Sequence, residues 1–226
     1  MQKKKKKSKK NKLLIFLIII VLICISFFAY KYFTSNNKDK ETVKVIKSIN
    51  KYDYNLNDNE TALYKDKFSE LEKILSSKNV DYESYAKKIS ELFIIDFYTL
   101  SNKTSKNDIG GVDFVMPSIK DNFVEQARST FYRYIESDSS RNQNLPEVSA
   151  INSVTLENIE FDIKDKSETT TTIKTKRRYT TTEAKKTVEA YKVTISWEYK
   201  KDYGYENEAK MILTKEGKKL YIIEMD

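Results

Sequence analysis

YKVTISWEYK, residues 191–200, decides the fold class. Tyr191, Val193, Ile195, Trp197 and Tyr199 fall on one side of a two-residue period, and Lys192, Thr194, Ser196, Glu198 and Lys200 fall on the other. That period belongs to a β-strand, and one apolar face opposite one polar face marks an antiparallel sheet. Toward the C-terminus, Asp202–Glu206 reads as a turn around Gly204. Ala209–Thr214 and Leu220–Met225 then read as a hairpin closed over KEGKK, with Gly217 at the reversal. Toward the N-terminus, Val154/Leu156 and then Ile159/Phe161/Ile163 alternate with polar residues, and the phase slips at Glu157-Asn158. Such a slip predicts a bulge or bend. Strands are therefore expected at about 153–164, 190–200, 208–214 and 220–225. Between the first two, Lys166–Val188 carries threonine runs and Lys176-Arg177-Arg178. The sequence leaves an exposed hairpin and a disordered loop both open there, and reads the basic run as solvated charge.

Upstream of the strands the period becomes helical. Tyr64, Phe68, Leu71 and Leu75 recur at i, i+4, i+7 and i+11, predicting a helix over about 60–76 capped by Asn57, Asp58 or Asn59. A second helix is expected over about 81–100, with Asp81 as its cap and Tyr85, Ile89, Leu92 and Phe93 as its stripe. Ile119, Phe123, Ala127, Phe131 and Ile135 predict a third over about 118–137. The loop between the last two holds Gly110-Gly111, read as a tight turn rather than an anion cradle. Residues 41–50 suit a helix or a strand equally, and Tyr52–Asn59 reads as turns. Three helices followed by antiparallel strands give an α+β domain over 59–226, with the helices on one face of the sheet.

The front of the chain is different in kind. Leu13–Tyr30, LLIFLIIIVLICISFFAY, has no charge, and a helix of that length is about 27 Å long, close to the roughly 30 Å of a bilayer's hydrocarbon. It lacks the short apolar core and small-residue cut of a cleaved signal, and Ile23 precedes Cys24 where lipid attachment needs a small residue. The reading is an uncleaved transmembrane anchor at 13–33, a basic tail at 1–12 and a juxtamembrane linker at 34–58. Lysines in the tail orient such an anchor with its N-terminus in the cytoplasm, and they attract anionic lipid. The α+β domain is then expected outside the cell membrane. Heavy use of Lys, Asn, Ile and Tyr suggests an AT-rich bacterial genome.

Charge and composition narrow the function. Eight of the 41 Lys and Arg residues lie in residues 1–30, which carry no acid, so the remainder balances at 33 basic against 33 acidic. A nucleic-acid binder needs its excess charge on the folded domain, so no nucleic-acid partner is expected. The single cysteine, Cys24, lies in the apolar run, so no disulfide is expected outside. Histidine is absent, which removes the usual general base, the usual zinc ligand and every Ser-His or Cys-His nucleophile. No catalytic residue, cofactor or metal is expected, and the chain reads as a non-enzyme. Its expected partners are membrane lipid, through residues 13–33 and the Lys3–Lys12 tail, and a protein partner or a second copy of itself. Asp96 interrupts an apolar helical stripe, so it needs a donor or a solvated cavity. Should the domain instead bind a small apolar ligand or carry out catalysis, Asp96, Tyr98, Tyr132 and Trp197 are the candidate pocket-lining residues.

The order of elements, one membrane helix, a linker, three helices and a run of antiparallel strands, resembles the cone-shaped nuclear-transport-factor-like fold. In that fold a strongly bent sheet wraps a long helix. In layout the chain is similar to TcpC conjugation proteins of Gram-positive bacteria and to the VirB-series inner-membrane assembly factor of type IV secretion. SWEYKKDYGYENEA (196–209) and KLYIIEMD (219–226) are also similar to stretches of membrane-anchored bacterial proteins. The resemblance implies an extracytoplasmic interaction or scaffolding domain in an envelope assembly, and it assigns no site residues.

Overall fold

In the computed structural model, residues 43–135, 144–173 and 176–226 are described, with the side chains of 164–185 left aside. The expected anchor at 13–33 and the basic tail lie outside the described residues. Among those described, no helix is long and apolar enough to cross a membrane. Val43–Asp226 packs as one unit.

The unit begins with a small antiparallel pair, β1 (Val45–Ile49) and β2 (Tyr54–Asn57). Residues 41–50 therefore resolve in favour of a strand. The expected turns of 52–59 are corrected in part, because Tyr54 and Leu56 are buried while Asn55 is exposed, a strand alternation four residues long. The reversal between the two strands puts Asp53 in the left-handed region, with φ 52°.

Two helices follow. In α1 (Ala62–Ser76), Tyr64, Phe68, Leu71 and Leu75 are the buried stripe, as their spacing predicts. Its cap is Thr61, whose side chain accepts from the Tyr64 N–H at 3.2 Å, not Asn57, Asp58 or Asn59 as expected. In α2 (Tyr82–Tyr98) Asp81 caps as expected, accepting from Glu83 and Ser84. Eleven of the 17 residues of α2 are buried, because α1 lies on one side and the sheet on another. Its buried charges are paired: Lys88 bonds Glu91 at 2.6 Å and reaches Glu70 of α1.

A 3-10 turn at Val112–Phe114 leads to α3 (Lys120–Ser129), which is shorter than expected at its C-terminus. After Ser129 the backbone leaves helical geometry at Thr130, and the departure turns Tyr132 inward, where it is fully buried.

The main sheet is antiparallel in the order β3-β4-β5-β6, with β3 at Val148–Ile173, β4 at Lys176–Tyr199, β5 at Glu208–Glu216 and β6 at Lys219–Met225. Val193, Ile195, Trp197, Met211, Leu213, Leu220 and Ile222 form its buried face. The β6 edge is covered by the chain itself, since Val115 bridges Ile222 and the Met116 N–H donates to the Ile222 carbonyl at 3.0 Å. The β3 edge has no strand beside it among the described residues.

The β3–β4 pairing runs far past the sheet. β5 accompanies β4 only over Ala190–Ser196, whereas β3 pairs β4 from Val148↔Tyr199 to Ile173↔Lys176. Residues 176–189 and their partners thus form a two-stranded ribbon about 45 Å long. The expected irregularity at Glu157-Asn158 is absent. Register shifts fall instead at Val148/Ala150 and Ile151/Ser153, and pairing is unbroken from Ser153 to Ile173.

Candidate functional site

The last turn of α2, the loop after it and the start of α1 enclose a polar cleft of about 120 Å³. Asn59, Glu60, Asp96, Lys103, Asp108, Gly110 and Asp113 are on its walls. A space of that size holds about four waters or a small polar group.

Asp96 is the centre of the arrangement. It projects from the apolar stripe of α2, as its position among Ile89, Leu92 and Phe93 predicts, and both carboxylate oxygens are engaged. Oδ1 takes the Lys103 ammonium, and Oδ2 accepts from the Gly111 N–H at 2.7 Å. The Lys103 side chain is 3% exposed. Burial works to lower its pKa, but Asp96 in contact and Glu60 nearby outweigh that, so the net shift is upward and the lysine stays charged.

The two glycines serve this packing. A side chain on Gly110 would begin 2.2 Å from the Asp96 carbonyl oxygen, and one on Gly111, whose φ is 75°, would begin 2.6 Å from the Phe93 ring. Their N–H groups are already used. Gly111 donates to Asp96, and Gly110 donates to the Tyr132 hydroxyl at 3.1 Å. Tyr132 in turn donates to the Phe97 carbonyl at 2.7 Å. The Gly-Gly pair therefore offers no cradle to an anion.

Glu60 supplies the titratable group. Burial first, and then repulsion from Asp96, push its carboxyl up to about 7 against the pull of Lys103. Asn102 donates to it at 3.4 Å. Asp113 is also raised, chiefly by burial. Asp108 is held by the Thr104 N–H and hydroxyl at 2.9 and 3.1 Å. Chemically, the cleft presents a carboxyl that changes charge near neutral pH beside a fixed ion pair. Among the described residues no group of acids has the geometry to hold a metal ion.

The four candidate residues fall into different surroundings. Asp96 lines the cleft, and the walls of that cleft include none of the other three. Tyr132 is fully buried and locks the loop to α2 through the two bonds just described. Tyr98 stacks on Trp197 with ring centroids 4.8 Å apart, and meets Phe131 edge-on at 5.3 Å. Trp197 is fully buried. Tyr98 and Trp197 are thus neighbours in an aromatic layer that continues through Tyr199 toward Tyr203 and Tyr205. The helical face separates them from Asp96: residues 96 and 98 lie about 200° apart around α2.

A second feature is the face of the ribbon. Because the pairing is unbroken across Glu157-Asn158, the shift in apolar phase moves side chains to the other side of the sheet. Val154 and Leu156 pack against the core, whereas Ile159, Phe161, Ile163 and Val188 are not among the residues that do. Phe161 lies opposite Val188, and Ile159 opposite Ala190. An apolar strip, half-buried at Ile159, Phe161, Ile163 and Val188 and buried at Ala190, therefore occupies the root of the ribbon on the face turned away from α2.

Searches against protein-family models, curated proteins and solved structures find no match to this chain.

Proposed function

We propose that this chain is a single-pass bacterial membrane protein that presents its α+β domain outside the cell membrane as an interaction or scaffolding module. Its N-terminal tail lies in the cytoplasm, and its β3–β4 ribbon grips a protein partner. One observation carries the reading: the apolar strip Ile159, Phe161, Ile163 and Val188 changes face without a break in register. A sequence that needed only to close its own core would keep its apolar residues on the core side. A two-stranded ribbon is also marginal in water by itself, and a partner laid on its apolar face would supply the missing layer. The chain's lack of histidine agrees with binding rather than catalysis.

The sheet packs α2 against β3, β4 and β6, which supports the finer reading of a nuclear-transport-factor-like cone. In layout this favours a role in a conjugation or secretion-type envelope assembly.

The experiment is made in intact cells. A C-terminal tag should be removed by protease added outside, and a chain shortened across 164–185 should reach the same level and orientation while losing its crosslinked neighbour. A tag sheltered from external protease, or a shortened chain with the same crosslinks, refutes the proposal.

A second reading rests on Glu60. A carboxyl at about 7 beside the Asp96–Lys103 pair suits proton transfer or recognition of a small polar ligand. The core positions of Tyr132 and Trp197 argue against the apolar-ligand form of that alternative.

A further inference from the structure

Val45 and Ile46 stand next to each other at the surface, 57% and 55% exposed, with Val43 at 38%. In a regular strand two neighbours face opposite sides, and one of them would turn toward the domain. Here the pairing passes from Val45↔Asn57 to Lys47↔Leu56 and skips Ile46, so β1 carries a bulge. Beyond it, Ile49 packs on the core and Lys47 meets Glu72 of α1 at 2.5 Å. The bulge is what leaves both branched apolar residues outside. Lys44 lies between Val43 and Val45, whereas Lys51 lies past the far end of β1 with its ammonium 5.2 Å from the Tyr52 ring centroid. Of the nearby acids, Glu72 is paired with Lys47 and the Asp58 carboxylate accepts from the Lys44 N–H at 3.0 Å.

We propose that the strip Val43–Ile46 seats in the outer head-group region of the membrane, with Lys44 reaching the lipid phosphates. This rests on the membrane reading of residues 13–33. The reach fits: nine residues lie between Phe33 and Val43, so the strip lies within roughly 35 Å of the end of the anchor even at full extension. A lipid surface asks for apolar side chains beside flexible cations and imposes no register. A second copy adding a strand to β1 would need a regular edge, and a bulge blunts such an edge.

The test uses the full chain with Cys24→Ser, reconstituted in vesicles of phosphatidylcholine and phosphatidylglycerol. Spin labels are placed one at a time through Ile46→Cys, Tyr205→Cys and Ile19→Cys. Collision with dissolved oxygen is then compared with collision with a water-soluble nickel chelate. The label at 46 should favour oxygen severalfold over the label at 205 and fall between it and the label at 19. A label at 46 as open to nickel as that at 205, with 19 in lipid, overturns this inference and leaves the anchor standing. If 46 and 19 are both open to nickel, the anchor fails and the inference with it. Spin–spin broadening at 46 that disappears on dilution with unlabelled chain assigns the strip to a second copy, and also overturns it.

Discussion

Replacing Glu60 with glutamine should make the protein more stable at pH 8 and leave it nearly unchanged at pH 4.5. In the folded chain the carboxyl is raised from its ordinary 4.5 to about 7, with burial the larger cause and Asp96 the next. A raised carboxyl favours the folded state while it holds its proton. That contribution is complete below 4.5 and is lost as the pH rises through 7. At about 1.4 kcal/mol for each tenfold change in proton affinity, the full loss is roughly 3 kcal/mol, and screening by cleft water brings the expected value to about 1–2 kcal/mol. Glutamine keeps an acceptor for Asn102 and has nothing to ionise. Other groups titrate too, with Asp113 raised by burial, and Glu70 lowered chiefly by its bond to Lys88. The informative quantity is therefore the variant's stability minus that of the parent, followed from pH 4.5 to 8. Urea unfolding monitored through Trp197, the sole tryptophan and fully buried, provides it. A difference that stays flat with pH, or one that turns against the variant above pH 7, refutes the electrostatic account of the cleft.

Asp96→Asn should cost about 3–5 kcal/mol in the same assay, because it removes the carboxylate that offsets the burial of the Lys103 ammonium, and adding Lys103→Met should recover most of the loss. Tyr132→Phe removes the bonds to the Phe97 carbonyl and the Gly110 N–H, and should lower stability by about 1–3 kcal/mol while leaving the circular dichroism spectrum unchanged. Gly111→Ala sets a side chain at φ 75° against Phe93 and should cost at least about 1 kcal/mol, read as a lower urea midpoint.

The helices and the inner strands were legible because their apolar residues repeat often enough to set a phase. Tyr64 to Leu75 and Tyr191 to Tyr199 each do so. β2 was hidden because YNLN gives only two apolar residues among turn formers, too few to separate a strand from a turn. The slip at Glu157-Asn158 was visible, but two different causes produce one pattern: a bulge keeps the apolar residues on one face, and an unbroken register moves them to the other. Only the pairing itself distinguishes the two. In the cleft, Asp96 stood out as a carboxylate on an apolar stripe, and that misfit did announce a partner. The partner, Lys103, sits in a loop without period, so nothing in its spacing pointed inward. Glu60 carries no signal in the sequence, because a raised pKa depends on burial and on charges brought near by folding. Tyr132 was expected to continue a helix, and it is the departure at Thr130 that carries it into the core.

The central claim is that the ribbon's outward apolar strip is a contact surface outside the membrane. A photo-reactive amino acid placed at Phe161 in the full chain, in living cells, tests it directly, with the same group at Glu224 on β6 as the comparison. The account predicts one discrete crosslinked protein species from position 161, absent from position 224 and lost when Val188 is changed to serine. Crosslinks only within the chain itself at 161, or the same species from both positions, would contradict it.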